Sequence, residues 1–233
     1  AVASAALIFN IPIIHLCGGE VTNGAIDDAI RHSISKMASV HFVANEDYRR
    51  RVIQLGEQPE SVHVVGGLGV DAISSTKVLT KSKLEQQIDY RFGDKNLLIT
   101  YHPVTRNMNR SVVEFQNLLA ALERFPSIHL LFTMPNADPE SDRMWGLINE
   151  FVSNRNNSKL VKSMGQKNYY SALKIVDGVV GNSSSGIAEA PSFQIGTINI
   201  GNRQNGRKMG SSVISCDPNI DDINSAIIEL YSD

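Results

Sequence analysis

The sequence predicts an α/β fold in which parallel strands alternate with amphipathic helices. Two observations lead to this prediction. Short, almost continuously apolar runs recur along the chain, and between many of them apolar residues return every three or four positions. Strands of that composition are buried on both faces, as they are in a parallel sheet that is covered by helices above and below.

Nine apolar runs are predicted strands: residues 11–16, 41–44, 62–65, 97–101, 129–133, 159–161, 178–180, 197–200 and 212–215. Helical periodicity is clearest in residues 28–37 and 111–124. In the first of these segments Ile30, Ile34 and Met37 fall on one face, as in an amphipathic helix.

A polar stretch between Val70 and Asn96 divides the chain into two α/β blocks. We predict that residues 1–72 and 96–233 belong to different domains and that residues 73–95 form a linking, partly helical connection. The first block has only about three strands, fewer than the five or six of an average sheet. It therefore resembles the end of a domain, and we expect the chain to be a piece of a longer protein.

Composition excludes several classes of protein. The chain has 233 residues, 42% of them hydrophobic and 20% charged, which is typical of a globular protein rather than a disordered or collagen-like one. Its 22 basic and 24 acidic residues give a net charge of −2, whereas a nucleic-acid surface needs a basic excess. The apolar amino terminus is interrupted by Asn10 and Pro12, well short of a membrane span. Two cysteines, Cys17 and Cys216, form no disulfide framework, so we expect reduced thiols in a cytosolic protein.

The strongest local motif is a serine-rich turn, residues 181–186 (Gly-Asn-Ser-Ser-Ser-Gly), between a predicted strand and a helix. Backbone N–H groups at the helix start, together with the hydroxyls of Ser183 and Ser184, suit a phosphate. Glu189 follows Ser185 by one helical turn, where a carboxylate can accept hydrogen bonds from a ribose diol. A serine cap with a solvated glutamate is the alternative. Three consecutive serines exceed what a cap requires, so we favour the phosphate site; no P-loop spacing is present.

Polar residues also follow two other strands. His102 ends the strand at residues 97–101, where it could donate to a diphosphate or shuttle protons, and Asn136 occupies the corresponding position after the next strand.

In the first block Glu20 follows a glycine pair that closes a strand, and Asp27 and Arg31 share a helix face. Helix capping explains Asp27 equally well, but acid–base carboxylates are expected at such a strand end.

Other features have a structural interpretation. We expect residues 66–69 (Gly-Gly-Leu-Gly) to form a turn, because no helix-period segment follows them directly. The Arg49–Arg50–Arg51 run is expected on a solvated helix face, and Cys17 is expected to be a small buried thiol rather than a nucleophile. No spacing of His or Cys suggests a metal site.

Four segments in this order resemble the UDP-N-acetylglucosamine 2-epimerase family. They are HLCGGEVTNGAIDDAIRHSISKMASVHF (residues 15–42), ITYHPVT (99–105), MPNADP (134–139) and GNSSSGIAEAPSFQIGTINIGNRQNGR (181–207). The GGE…IDDAIRH pattern favours the hydrolysing branch, since the other branch carries a different sequence after the first histidine. The likeness spans nearly the whole chain.

The resemblance implies two Rossmann-like domains in a GT-B-like arrangement, the N-terminal one incomplete here, with a UDP-sugar between them. It implies elimination of UDP to a 2-acetamidoglycal, then hydration to free N-acetylmannosamine for sialic-acid-like sugars, with no redox cofactor or metal. UDP-N,N′-diacetylbacillosamine is an alternative substrate. A GT-B glycosyltransferase and a non-catalytic UDP-binding module are alternative functions. We expect a cytoplasmic homo-oligomer that binds neither nucleic acid nor a membrane.

The resemblance also assigns roles to residues. It implies that UDP is held by six of them: His102, Asn136, Ser183, Ser184, Glu189 and Arg203. It makes Asp27 a catalytic carboxylate with Arg31 beside it. Well-studied members have a catalytic glutamate where this chain has Cys17, so the acid–base role is expected to move to Glu20 or the substrate to differ. The family's first strands precede residue 1, and its last helix continues after Asp233. We therefore expect this chain to be inactive by itself.

Overall fold

The computed structural model describes residues 1–22, 26–103, 108–134 and 141–232, with the side chains of Met108, Asn109 and Ser141 left aside. It contains two parallel sheets, one of three strands and one of six. The α/β class predicted from the apolar runs is confirmed. All nine predicted strands are present, and most of their ends lie within one residue of the predicted ones.

The first sheet has the order β1–β2–β3, with β1 at Ile14–Leu16, β2 at Val40–Val43 and β3 at Val62–Val64. Three helices accompany it: α1 (Val2–Ile8), α2 (Ile26–Met37) and α3 (Glu46–Gln54). A short 3₁₀ turn, Pro59–Ser61, precedes β3. The buried apolar core of this part is small and consists of Val43, Tyr48, Val52 and Val62.

Two helices connect the sheets, α4 (Leu68–Ser75) and α5 (Lys81–Ile88). The turn predicted for residues 66–69 is wrong, because Gly67 immediately precedes α4 and Leu68 is its first residue. Helix α4 has only eight residues, too few to show a helical period in the sequence. Leu84 and Ile88 of α5 are buried in the core of the second sheet. The predicted domain boundaries at residues 72 and 95 stay a prediction.

The second sheet has the order β6–β5–β4–β7–β8–β9, and all its strands are parallel. Its strands are β4 (Asn96–Thr100), β5 (His129–Thr133), β6 (Ser158–Val161), β7 (Gly178–Gly181), β8 (Gly196–Ile200) and β9 (Val213–Cys216). Its helices are α6 (Met108–Glu123), α7 (Ser141–Ser153), α8 (Gly165–Leu173), α9 (Ser185–Ala188) and α10 (Ile220–Leu230).

The strand order of the second sheet reverses between β4 and β7. From β4 the chain moves outward to β5 and β6, and from β7 it moves outward in the other direction to β8 and β9. At such a switch point the connections diverge and leave a crevice at the carboxyl ends of the two central strands. Thr100 of β4 pairs with Gly181 of β7 there, so the residues that follow them share the crevice.

Both faces of the second sheet are covered. One apolar layer joins Leu97 and Ile99 to Phe115 and Leu118 of α6, and the other joins Leu98 to Leu84 of α5 and to helix α8. This explains why β4 has no polar–apolar alternation, since all five of its residues are buried. Rigid packing on both faces fixes the carboxyl ends of β4 and β7.

The described ranges contain neither a membrane-spanning helix nor a cluster of metal-ligating side chains. None of their helices combines the length and apolar character that crossing a membrane requires. Those same ranges contain no group of three or more His, Cys, Asp or Glu residues placed to hold a metal ion.

Candidate functional site

The crevice between β4 and β7 is built around Asn182. Its side-chain Oδ1 accepts a hydrogen bond from the backbone N–H of His102 at 2.7 Å, and its Nδ2 donates to the backbone carbonyl of His102 at 2.8 Å. Both residues are buried. This reciprocal pair satisfies the backbone N–H and carbonyl of His102, two residues after the end of β4, and so fixes the position of the His102 backbone.

Gly181 is required where β7 turns into the serine-rich segment. Its φ is +140°, and a Cβ there would lie 1.9 Å from the carbonyl oxygen of Thr100. No side chain fits at that position. The turn is held from behind by Arg203 and Gln204, which donate to the carbonyl of Asn182 at 3.0 and 2.7 Å.

Arg203 is buried at the back of this turn. Its positive charge lies close enough to His102 to act on the imidazole, although the larger effect there is burial. Burial and the charge of Arg203 together lower the pKa of His102 to about 4. The imidazole is therefore neutral near pH 7, and it can donate or accept a hydrogen bond but contributes no positive charge.

Ser183 and Glu189 line an open cavity of about 410 Å³ at the carboxyl edge of the sheet. Its walls come from the ends of β4, β5 and β6 and from the first half of α8, and they include Thr100, Thr133, Lys162, Gln166, Tyr169 and Tyr170. The volume lies in the range of small-molecule sites. Ser184 immediately precedes α9. Because α9 has only four residues, the dipole of this helix is small.

The carboxylate of Glu189 is already oriented by two hydroxyls. Ser185 Oγ donates to Oε2 at 2.5 Å, and the phenol of Tyr170 donates to Oε1 at 3.1 Å. Tyr169 contacts Ser185 Oγ through its own hydroxyl at 2.6 Å, and burial, with a contribution from the charge of Glu189, raises the pKa of Tyr169 to about 12. The cluster holds a fixed acceptor, as a ribose diol would need.

Helix α4 reaches this cluster from the connection between the sheets. A methyl group on Gly69 would lie 3.3 Å from Oε1 of Glu189. Any residue larger than glycine at this position would therefore push the carboxylate slightly out of its present position. The sequence interpretation missed this contact because it took residues 66–69 for a turn. It also missed Tyr169 and Tyr170, although a helix that follows β6 must begin at the same edge of the sheet.

A second group of functional candidates lies in the loop after β1. Three arginines each donate to one of three successive backbone carbonyls: Arg51 to Gly19, Arg31 to Glu20 at 3.3 Å and Arg207 to Val21 at 3.0 Å. Arg51 lies on α3, Arg31 on α2 and Arg207 between β8 and β9. We call residues 19–22 the arginine-held loop.

These contacts change the interpretation of the Arg49–Arg50–Arg51 run. The three arginines were expected on a solvated helix face, and Arg50 does pair with Asp47 at the surface. Arg49, however, donates to the backbone carbonyls of Val62 and Pro59. Arg51 donates to the carbonyl of Gly19 in the arginine-held loop. The expectation of a wholly solvated run is therefore wrong. Periodicity places a residue on a face, but it does not show which backbone carbonyls that face meets.

Glu20 is the carboxylate of this loop. Its Oε2 accepts from Arg207 at 2.9 Å, and its side chain is 19% exposed. Arg31 does not pair with Asp27 among the described residues; besides the Glu20 carbonyl it donates to Thr22 Oγ1 at 3.3 Å. Arg31 therefore orders the loop and contacts a hydroxyl rather than the predicted carboxylate.

Asp27 and Asp28 differ although they are neighbours in the first turn of α2. Asp28 accepts from the backbone N–H of Thr22 at 3.0 Å and lies 3.7 Å from His32, so it caps the loop. Asp27 is exposed. Asp28 thus bonds the preceding loop rather than the start of its own helix, and the helix-capping alternative for Asp27 stays a prediction.

Cys17 is half-buried, not buried as predicted, and has a φ of +61°. The left-handed backbone at this position turns the chain from β1 into the arginine-held loop. Burial, and after it the nearby charge of Glu20, raises the pKa of the thiol, which disfavours the thiolate and hence nucleophilic chemistry.

Asn136, the remaining predicted residue, lies outside the described residues. The others fall into two groups. His102, Ser183, Ser184, Glu189 and Arg203 lie at or beside the carboxyl ends of β4 and β7, and of these Ser183 and Glu189 line the cavity. Glu20 belongs to the loop after β1 and Arg31 contacts it, whereas Asp27 is an exposed residue in the first turn of α2. Arg207 of the second sheet's β8–β9 loop joins the latter group to the second sheet.

Comparison with known proteins gives a match over the entire chain. A family model described as UDP-N-acetylglucosamine 2-epimerase matches residues 1–233. A Campylobacter jejuni protein named GDP/UDP-N,N′-diacetylbacillosamine 2-epimerase (hydrolyzing) is 42% identical over the whole chain, which spans 60% of that protein. An Escherichia coli protein named polysialic acid biosynthesis protein P7 is 38% identical over 92% of the chain, and the match spans 54% of the relative.

Solved structures share the fold. The crystal structure of a Methanocaldococcus jannaschii UDP-GlcNAc 2-epimerase in complex with UDP-GlcNAc and UDP aligns with 99% of this chain at a TM-score of 0.81 and 14% identity. The chain covers 65% of that structure. The likeness supports the GT-B-like arrangement of two α/β parts.

Proposed function

The chain belongs to the UDP-N-acetylglucosamine 2-epimerase family, hydrolysing branch, and from that membership we propose that it takes part in hydrolysing a UDP-N-acetylhexosamine with inversion at carbon 2. UDP leaves with the electrons of the anomeric C–O bond while a base removes the proton from carbon 2. Water then adds its hydroxyl to carbon 1, and a proton returns to carbon 2 on the opposite face. UDP-N-acetylglucosamine and water thus give N-acetylmannosamine and UDP.

The observation that supports this proposal is the fixed acceptor cluster in the β4–β7 crevice. Glu189 lines the cavity and is held by Ser185 and Tyr170, and we assign its carboxylate to the ribose hydroxyls of UDP. We assign the diphosphate to the hydroxyls of Ser183 and Ser184 and to the neutral imidazole of His102. Donors placed before the reaction stabilise the charge that develops on the leaving diphosphate. Arg203 supports this group from behind the turn.

We assign the proton transfers to Asp27 and Glu20, with His102 near the leaving group. Asp27 is the exposed carboxylate, and Glu20 is fixed by Arg207. Two carboxylates in different surroundings can serve as base and acid in turn, as removal and return of a proton on opposite faces of the sugar require. Asn136 is proposed as a further UDP ligand on the strength of its motif alone.

UDP-N,N′-diacetylbacillosamine is the second candidate substrate. The 42% identity to the Campylobacter jejuni relative, whose name includes that sugar, supports it. The Escherichia coli relative's name supports a role in making sialic-acid-like sugars. We further propose a cytoplasmic homo-oligomer, residues 1–72 and 96–233 as parts of two Rossmann-like domains, and inactivity of the present chain by itself.

The test is incubation of the full-length protein with each UDP-sugar in D₂O, followed by NMR. Hydrolysis through a 2-acetamidoglycal predicts UDP and a free 2-epimeric sugar that carries deuterium at carbon 2. Release of the unepimerised sugar, or transfer of the sugar to an added acceptor, would contradict the proposal. Binding of UDP with no turnover of either sugar by the full-length protein would support a binding module instead.

A further inference from the structure

Arg207 lies in the β8–β9 loop, yet its side chain is turned toward the loop after β1. It donates through Nε to the carbonyl of Val21 at 3.0 Å and through Nη2 to Glu20 at 2.9 Å, and it contacts Thr22 Oγ1 at 3.4 Å. Its side chain is only 9% exposed. Because the guanidinium is buried and contacts three groups of the loop, its orientation is fixed.

The approach of the two loops is close at this point. A Cβ on Gly206 would lie 3.4 Å from the side chain of Val21, so the backbone before Arg207 packs against the arginine-held loop. The partners of Arg207 lie more than 180 residues away in sequence and belong to the first sheet's part of the chain. Arg31 and Arg51, which hold the neighbouring carbonyls, belong to that same part.

Three arginines contact this loop, and Arg207 differs from Arg31 and Arg51 both in the part of the chain it belongs to and in the groups it bonds. It comes from the second sheet, and it is the one that bonds the carboxylate of Glu20 as well as the backbone. Separation of the two parts of the molecule would therefore remove this partner from the Glu20 carboxylate. When they are together, the carboxylate is fixed.

We propose that Arg207 is a positioning residue, which fixes the Glu20 carboxylate for proton transfer only when the two sheets are brought together. This inference rests on the proposed function, because it gives Glu20 an acid–base role. The contacts of Arg207 are to Glu20, Val21 and Thr22, and we assign it no role in holding the sugar, so its loss should affect the chemical step rather than the binding of the UDP-sugar.

The experiment replaces Arg207 by Met and by Lys in the full-length protein and measures kcat and KM. Because a misplacement of about 1 Å can cost 100-fold in rate, we expect Arg207→Met to lower kcat about 100-fold with KM within about threefold of wild type. Arg207→Lys restores the charge without the forked geometry, so its kcat lies between those of Arg207→Met and the wild type. The matched control is Lys208→Met, because Lys208 is the adjacent cation and pairs with Asp47 on α3 instead of with the loop.

A double variant separates positioning from general stabilisation. If Arg207 acts through Glu20, its loss has no further effect once Glu20 is Gln, and Glu20→Gln/Arg207→Met has the kcat of Glu20→Gln to within about threefold. Additive losses in the double variant would overturn the inference. So would a raised KM with unchanged kcat, or an unchanged kcat, in Arg207→Met.

Hydrogen exchange gives a measurement that needs no activity. We expect amide exchange in residues 19–22 to accelerate in Arg207→Met and to stay at the wild-type rate in Lys208→Met. If the wild-type protein hydrolyses neither UDP-sugar, the proposed function fails, and unaltered exchange in Arg207→Met would separately disprove the contact. If the wild type is active, its activity upholds the function whatever the variants show.

Discussion

Asn182 and His102 hydrogen-bond to each other twice, through the amide side chain of one and the backbone of the other. The pair joins the carboxyl ends of β4 and β7, the two strands between which the sheet order reverses. Because the backbone of His102 is held by Asn182, the second residue of the serine-rich turn, a shift of that turn should also move the imidazole. The crevice therefore behaves as one rigid unit.

Gly181 should tolerate no substitution. Alanine there would be strained at a φ of +140° and would collide with the Thr100 carbonyl, so we expect Gly181→Ala to destabilise the protein by about 2–6 kcal/mol or to prevent folding. Urea unfolding measures the change. Gly146→Ala is the control: it lies inside α7 with open space around it, and alanine should stabilise that helix by up to about 1 kcal/mol. Equal effects of the two substitutions would contradict this account of the turn.

His102 should make stability depend on pH. Its pKa is lowered to about 4 in the folded protein, whereas an unfolded histidine has a pKa near 6.5. Between these values the unfolded state binds the proton and the folded state does not, so stability falls as the pH drops from 6.5 toward 4, by about 3 kcal/mol at most.

The measurement compares urea unfolding at pH 7 and pH 4.5 for the wild type and His102→Gln. The variant should lose less stability on acidification, because it has no imidazole to protonate. An identical loss in both proteins would show that other groups cause the acid sensitivity.

Asp27→Asn should abolish turnover. Loss of a proton-transferring carboxylate costs about 10²- to 10⁴-fold in rate, and UDP affinity measured by calorimetry should remain within about threefold, because the residue is assigned to the sugar. The matched control is Asp47→Asn, another aspartate in the first turn of a helix on the first sheet. Comparable activity of Asp27→Asn and wild type would remove Asp27 from the mechanism.

Cys17→Ser should keep turnover within about threefold of wild type, because the raised pKa of the thiol disfavours the nucleophilic thiolate. The steady-state rate with the UDP-sugar is the measurement. A loss of several orders of magnitude would mean that the thiol reacts or transfers a proton after all.

Apolar runs and turn residues were enough to predict all nine strands and the crevice after β4 and β7, because burial on both faces leaves a continuous apolar pattern. The sequence could not show α4, whose eight residues contain too few turns to establish a period. Nor could it show that Asp28 rather than Asp27 bonds the arginine-held loop, since the two are neighbours in the first turn of α2.

Contacts between distant segments were also beyond the sequence. Arg207 and Glu20 are 187 residues apart, and no local pattern relates them. The same holds for Gly69 beside Glu189, which depends on how α4 packs against the second sheet. The residues of the serine turn were found because strand, turn and helix follow one another without interruption.

Calorimetric titration with UDP tests the central claim most directly, since it measures ligand affinity without requiring catalysis. A charged hydrogen bond contributes about 1.5–3 kcal/mol, so Glu189→Gln should bind UDP about 10- to 100-fold more weakly than wild type. Glu60→Gln, at an exposed position before β3, should bind as the wild type does. Wild-type affinity in Glu189→Gln, or no UDP binding by the unaltered full-length protein, would contradict the assignment of this crevice to UDP.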